Sequence, residues 1–198
     1  NYTPEGAQRE YVRALQQWAQ DRIDAQIQNL PLPRQPSVWN PYQSPHQPAS
    51  LFNAMINPLI PFAVRGVIWY QGEANVAQAQ DYRSVFPALI NDWRERWGRG
   101  PLPFLFVQLA GFMAVQTEPV QISAQWPFLR EAQFLTLALT NTAMACATDI
   151  GDADNIHPAN KQEVGRRLAL AARAVAYGER VVYSGPQFRT AARQGSTM

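Results

Sequence analysis

The sequence predicts an α/β fold built on a parallel sheet, and three observations carry that prediction. Apolar runs at 66–70, 104–109 and 143–148 have the length and composition of buried strands. Amphipathic stretches follow each run, and the first and third strand candidates end in polar loops. Strand alternating with helix argues right-handed parallel crossovers, and open sheets of this kind bind ligands at the carboxyl edge of their strands.

Composition sets the outer bounds. A chain of 198 residues, 46% hydrophobic and 16% charged, can bury a sizeable core, which excludes a disordered segment. Its net charge of +2 comes from 17 basic and 15 acidic residues that interleave, as in Asn91-Asp92-Trp93-Arg94-Glu95-Arg96, so neither a nucleic-acid nor a membrane-surface patch is indicated. Lys161 is the only lysine, which reads as a composition bias. Cys146 stands alone in an apolar run; it excludes an intrachain disulfide and reads as a small core residue. No apolar run reaches the length of a membrane span, and the first residues lack the pattern of a signal peptide.

The elements follow in order. Val12, Leu15, Ala19, Ile23 and Ile27 recur at helical spacing, predicting an amphipathic helix over Glu5 to Asn29. Pro31 to Pro48 is rich in Pro, Gln and Asn and predicts a long surface loop that covers or lines a cleft, with His46 in it as an ordinary surface residue. Leu51 to Leu59 reads as a short helix ended by Pro61. After the first strand, Tyr82, Val85, Phe86, Leu89, Ile90, Trp93 and Trp97 form one stripe of a helix over Ala77 to Trp97, which Pro87 is expected to kink or divide. The stripe reads as core and not as a sugar platform. Gly111 to Gln125 has no period and reads as a loop; Trp126 to Leu139 reads as a helix with Pro127 in its first turn. A last helix is predicted from about Pro158 to Tyr177 with Gly178 as its stop, and Val181 to Tyr183 as the start of a further strand.

Two loops hold groups able to do chemistry. The first offers Gln71, Gly72, Glu73 and Asn75, and the second offers Asp154 and His157. Taken singly, Asn75 equally suits a helix cap, Glu73 a solvated carboxylate and His157 a histidine at a helix start. On one sheet edge they make half of an acyl-transfer site: a general base, a carboxylate to fix its tautomer, and an amide donor for an oxyanion.

Trp69-Tyr70-Gln71-Gly72-Glu73-Ala74-Asn75, Arg130-Glu131-Ala132-Gln133, and Asp149-Ile150-Gly151 followed by Ile156-His157-Pro158-Ala159-Asn160-Lys161 resemble the sialate O-acetylesterase family of the SGNH hydrolase superfamily, which also holds acetylxylan esterases of carbohydrate esterase family six. The resemblance spans roughly Leu51 to Gln187. It implies a three-layer α/β/α, flavodoxin-like parallel sheet and hydrolysis of acetyl esters of sugars, of sialic acid or of a xylan-type substrate, through an acetyl-serine without metal or organic cofactor. Position by position, Asn75 and Gly72 match the oxyanion-hole block, and Asp154 and His157 match the Asp-x-x-His block. Glu73 is an alternative support for His157, Gln71 is implied to contact substrate, and Arg130 to pair with Glu73 or line the pocket, though Arg130 equally suits a plain helix surface.

The family's nucleophile is a serine in a Gly-Gln-Ser or Gly-Asp-Ser motif after the first strand. That block is absent, and Ser37, Ser44, Ser50, Ser84, Ser123, Ser184 and Ser196 all lack its context. The expectation is therefore a helix and Pro-rich loop over 1–50, the carboxyl-terminal part of a catalytic domain over 51–190 that lacks its first strand, and a tail over 191–198. The missing segment becomes the expected partner, together with an acetylated carbohydrate. Family members are commonly periplasmic or secreted, which sets the expected location. The competing expectation is a non-catalytic carbohydrate-binding or interaction domain on the same fold.

Overall fold

The computed structural model describes residues 4–36, 49–117, 124–187 and 190–195, so His46, Ser37, Ser44, Ser123 and most of the Pro-rich loop lie outside the described residues. The chain divides into two compact units, Asn1–Phe62 and Ala63–Met198.

In the first unit, helix α1 covers Pro4–Ile27, close to its predicted span. Its apolar stripe is not covered: Val12, Ile23 and Ile27 are exposed, and Ala25 is its one buried hydrophobic among the described residues. The indole N–H of Trp18 donates to the Pro33 carbonyl at 3.0 Å, and the Arg22 guanidinium lies over the same ring. The expected short helix is a π-helical turn, Phe52–Ile56, followed by a 3-10 turn, Asn57–Leu59.

The second unit is the α/β sandwich. Strands β1 (Val67–Trp69), β2 (Phe104–Val107) and β3 (Thr142–Ala145) form one parallel sheet in that order, with Trp69 opposite Phe106 and Phe106 opposite Met144. β2 is central and its four residues are all buried, as a strand with helices on both faces requires. Helices α2 (Ala79–Trp97) and α3 (Trp126–Leu135) cover one face; α4 (Lys161–Val175) covers the other. On the first face Tyr82, Phe86 and Ile90 of α2 meet Phe104 and Phe106 of β2 and Leu129 and Ala132 of α3. On the second, Val164, Leu168 and Ala171 of α4 meet Leu105, Val107, Ala143 and Ala145. Alternate residues of β2 thus feed alternate layers. β1 is an edge strand, and Ile68, on the α4 side, is 68% exposed.

Four expectations are corrected. α2 runs unbroken through Pro87. The core packing of Tyr82, Phe86, Ile90 and Trp93 outweighs a cost of about 3 kcal/mol for an interior proline. Residues Val181 to Tyr183 form no strand, since a run of three apolar residues makes no backbone pairing with the nearby edge strand β3 among the described residues. Cys146 is exposed, its Sγ 3.1 Å from the Thr148 hydroxyl, because it points away from the buried positions Ala145 and Ala147. α4 starts at Lys161 and not near Pro158, since the Asn160 side chain caps it by accepting from the Glu163 N–H at 3.3 Å.

Arg167 of α4 clamps the chain leaving β3. It donates to both carboxylate oxygens of Asp149 at 2.6 and 2.8 Å, to Glu163 at 2.7 Å and to the Cys146 carbonyl at 2.6 Å. Hydrogen bonding from Arg167 holds the Asp149 carboxyl at about 2, and hydrogen bonds from Arg166 and Arg167 hold Glu163 at about 2. Both carboxyls are depressed, so what they contribute to stability is present above the ordinary carboxylate range and is lost as the pH falls through it towards about 2. In Arg167→Met, an NMR titration of the Asp149 carboxyl should move up towards the ordinary value of about 3.9. An unchanged titration midpoint would show that Arg167 does not set it.

Candidate active site

Where β1 ends, the chain turns at Gly72 with φ of 154°, a region that favours glycine. A Cβ there would lie 2.9 Å from Leu129 Cδ2, 3.0 Å from Leu109 Cδ2 and 3.2 Å from Gln133 Nε2. The turn leads into a 3-10 helix, Glu73–Gln78, in which the Asn75 N–H donates to the Gly72 carbonyl at 2.9 Å. At Gly72 the backbone therefore turns against a packed wall.

That wall contains Gln133, wholly buried in α3. Its Oε1 accepts from the Leu109 N–H at 2.9 Å, while its Nε2 donates to the carbonyls of Val107 at 3.1 Å and Gln71 at 3.4 Å. One amide thus pairs backbone groups at the ends of β1 and β2, where a buried polar group left unpaired costs about 1–3 kcal/mol. Arg130, one turn earlier, donates to the carbonyls of Leu109 at 2.9 Å and Ala110 at 2.8 Å, and burial lowers its pKa. Its guanidinium is committed to backbone after β2. Among the described residues it makes no ion pair with Glu73.

A second amide pair stands on β1's own loop. The Gln71 Nε2 donates to Asn75 Oδ1 at 2.6 Å, and the Tyr82 hydroxyl donates to Gln71 Oε1 at 3.1 Å. Burial, chiefly, pushes the Tyr82 phenol up to about 12, with the charge of Glu73 adding to the rise, so it stays protonated and a donor.

The second loop is built on close backbone approach. Gly111 and Gly151 touch so tightly that a Cβ on Gly151 would collide with the Gly111 backbone. The Met113 N–H donates to the Ala153 carbonyl at 3.1 Å, tying the loops after β2 and β3 together. Asp152 and Asn155 then accept from the N–H groups of Asp154 and His157, each at 2.9 Å, two Asx turns that bring the chain round to buried Pro158 and α4. Asp154 and His157 are exposed, and no hydrogen bond joins their side chains.

The two loops meet. An open cleft of about 390 Å³ is lined by Tyr70, Gln71, Gly72 and Glu73 from the first and by Ile156, His157 and Lys161 from the second. Of the residues singled out in the sequence, Gln71, Gly72, Glu73 and His157 line it; Asn75 lies beside it on the Gln71 amide; Asp154 and Arg130 do not line it. Lys161 was missed. Its ammonium lies 4.6 Å from the Tyr70 ring centroid, a cation–π contact within the cleft. Its place one helical turn after His157 and its standing as the only lysine were the available signals. A larger cavity of about 660 Å³, between β3, α4 and Val182 to Gln187, has neither histidine nor acid among the described residues of its lining. Among the described residues no group of His, Cys, Asp and Glu is arranged to hold a metal ion, and no helix is long and apolar enough to cross a membrane.

Gly72→Ala is expected to destabilise the protein by about 1–3 kcal/mol through overpacking against Leu109 and Leu129. Chemical denaturation measures it, and a stability equal to the parent's would show that the turn has room.

The family model for carbohydrate esterases described as sialic acid-specific acetylesterases matches residues 36–174. Sialate O-acetylesterase of Pongo abelii is 40% identical over 177 residues, covering 78% of this chain and 33% of the relative. The Homo sapiens sialate O-acetylesterase is 39% identical over the same shares. A crystal structure of a carbohydrate acetylesterase from Xanthomonas citri is 53% identical with a TM-score of 0.67, covering 72% of this chain and 33% of that one. The chain thus spans about a third of the length of these relatives. On the match over most of its length, the chain belongs to the carbohydrate esterase family of sialic acid-specific acetylesterases.

Proposed function

We propose that these residues are part of a carbohydrate O-acetylesterase and form the base and oxyanion half of its active site. The observation that carries this is the shared cleft of Gln71, Gly72 and Glu73 with His157 at the carboxyl edge of a parallel sheet. No serine lines it. The nucleophile comes, on this reading, from a segment outside the 198 residues. The edge of β1, unpaired among the described residues, and the exposed Ile68 offer a further strand and its layer a place to add.

The chemistry follows from the residue types. His157 takes the proton of the serine hydroxyl as the oxygen attacks the acetyl carbonyl carbon. The resulting oxyanion accepts from the Asn75 amide and from backbone N–H groups at the Gly72 turn. Collapse expels the sugar oxygen, to which His157 returns the proton, and leaves an acetyl-serine. Water, deprotonated by His157, then attacks that ester and releases acetate and free serine. No bond change in this cycle calls for a metal or organic cofactor. Either Glu73, in the cleft, or Asp154, three residues before His157, holds the imidazole. The partner is the one whose amide variant, Glu73→Gln or Asp154→Asn, costs more in kcat.

The substrate on this reading is a small O-acetylated sugar, sialate or xylan-type, and the longer protein works in the periplasm or outside the cell, as the family resemblance implies. Hydrolysis of p-nitrophenyl acetate by the longer protein should fall by about three or more orders of magnitude in His157→Ala. Equal rates would overturn the assignment and favour a non-catalytic carbohydrate-binding domain on the same fold.

A further inference from the structure

We infer that Gln71 and Tyr82 are positioning residues that fix the orientation of the Asn75 amide, so that its NH2 group is presented to the oxyanion. This rests on the esterase reading above and adds to it two residues that touch no reacting atom.

The argument is one of hydrogen-bond direction. An amide side chain has a donor end and an acceptor end that differ little in shape, so Asn75 alone has no steric reason to prefer either orientation. Gln71 supplies an electronic one. Its Nε2 gives a proton to Asn75 Oδ1 at 2.6 Å, which leaves Asn75 Nδ2 as the outward donor; no described residue accepts from it. Gln71 is itself held against flipping, because its Oε1 is the acceptor for the Tyr82 hydroxyl at 3.1 Å. Tyr82 is 4% exposed and packs against Phe86 on α2 with ring centroids 5.1 Å apart, so the origin of the chain of donors is anchored in the core. Reversing Gln71 alone would set its carbonyl oxygen against Asn75 Oδ1, and reversing both amides would move the hydroxyl proton from Oε1 at 3.1 Å to the longer contact with the Gln71 carbonyl at 3.4 Å, which already accepts from Gln133. The order Tyr82 to Gln71 to Asn75 therefore favours one polarity, and it ends on a donor that no described residue takes up, four residues beyond Gln71 and three beyond the Gly72 turn.

The test uses the longer, serine-bearing protein. Gln71→Glu keeps the shape but replaces the donor with an acceptor, which turns the Asn75 NH2 towards residue 71 and away from the substrate. Its kcat should fall about as far as that of Asn75→Ala, roughly 10²–10³-fold for loss of one oxyanion donor, with KM changed far less. Tyr82→Phe should lower kcat about tenfold, as a fraction of that loss. In the Asn75→Ala background, neither Gln71→Glu nor Tyr82→Phe should lower kcat further by more than about twofold, since their effect has no other route. A merely structural role gives losses that multiply in the double variants, or a fall in kcat for Gln71→Leu as large as for Gln71→Glu with KM raised in step; either result overturns the inference and leaves the esterase reading standing. An Asn75→Ala enzyme as fast as the parent, or a parent with no esterase activity, removes the oxyanion role itself, and the inference falls with it.

Discussion

The carboxyl ends of β1 and β2 are held together by a single buried amide. Strand pairing stops at Trp69 and Val107, so the next backbone groups, at Gln71 and Leu109, need other partners inside the core. Gln133 provides them from α3. Because its three bonds are made in a low-dielectric interior, losing the side chain would leave several polar groups unpaired at once. The Gly72 turn packs directly on Gln133, so the loop carrying Glu73 and Asn75 takes its shape from this contact. Polar networks of this kind fix geometry more sharply than apolar packing does, which suits a site whose work depends on where a donor points.

The second loop is positioned by a different device. It has no buried side-chain network; instead Arg167 anchors its start and the two glycines at 111 and 151 let two backbones touch. The consequence is a division of labour across the cleft. One wall is hydrogen-bonded through amides, and the other carries an exposed histidine on a loop secured at both ends, by Arg167 and by the Asn160 cap.

Much of the fold was legible in the sequence, because each buried strand is a short apolar run and each covering helix shows its stripe. Phe104 to Val107 could hardly be anything but a central strand. The departures share one cause, that local pattern is silent about neighbours. Val181 to Tyr183 looks like a strand but joins no sheet, and the stripe of α1 looks like a buried face but is largely exposed. Cys146 sits one residue out of phase with the buried alanines. At the site, the motif words point to Gln71, Gly72, Glu73 and His157, all of which line the cleft, yet nothing in the residue pattern says that Gln133 and Arg130 serve the backbone. A glutamine on an amphipathic helix looks like surface until the sheet edge it satisfies is known. Tyr82 was read as core, which it is; the direction of its hydroxyl is a tertiary fact.

The central claim is that the cleft is the base and oxyanion half of a serine hydrolase whose nucleophile lies elsewhere in a longer protein. The direct measurement is to treat that longer protein with a fluorophosphonate and locate the adduct by mass spectrometry. The account predicts one serine adduct, outside the 198 residues, that forms far more slowly in His157→Ala. An adduct on a serine within these residues, or labelling indifferent to His157, would contradict it.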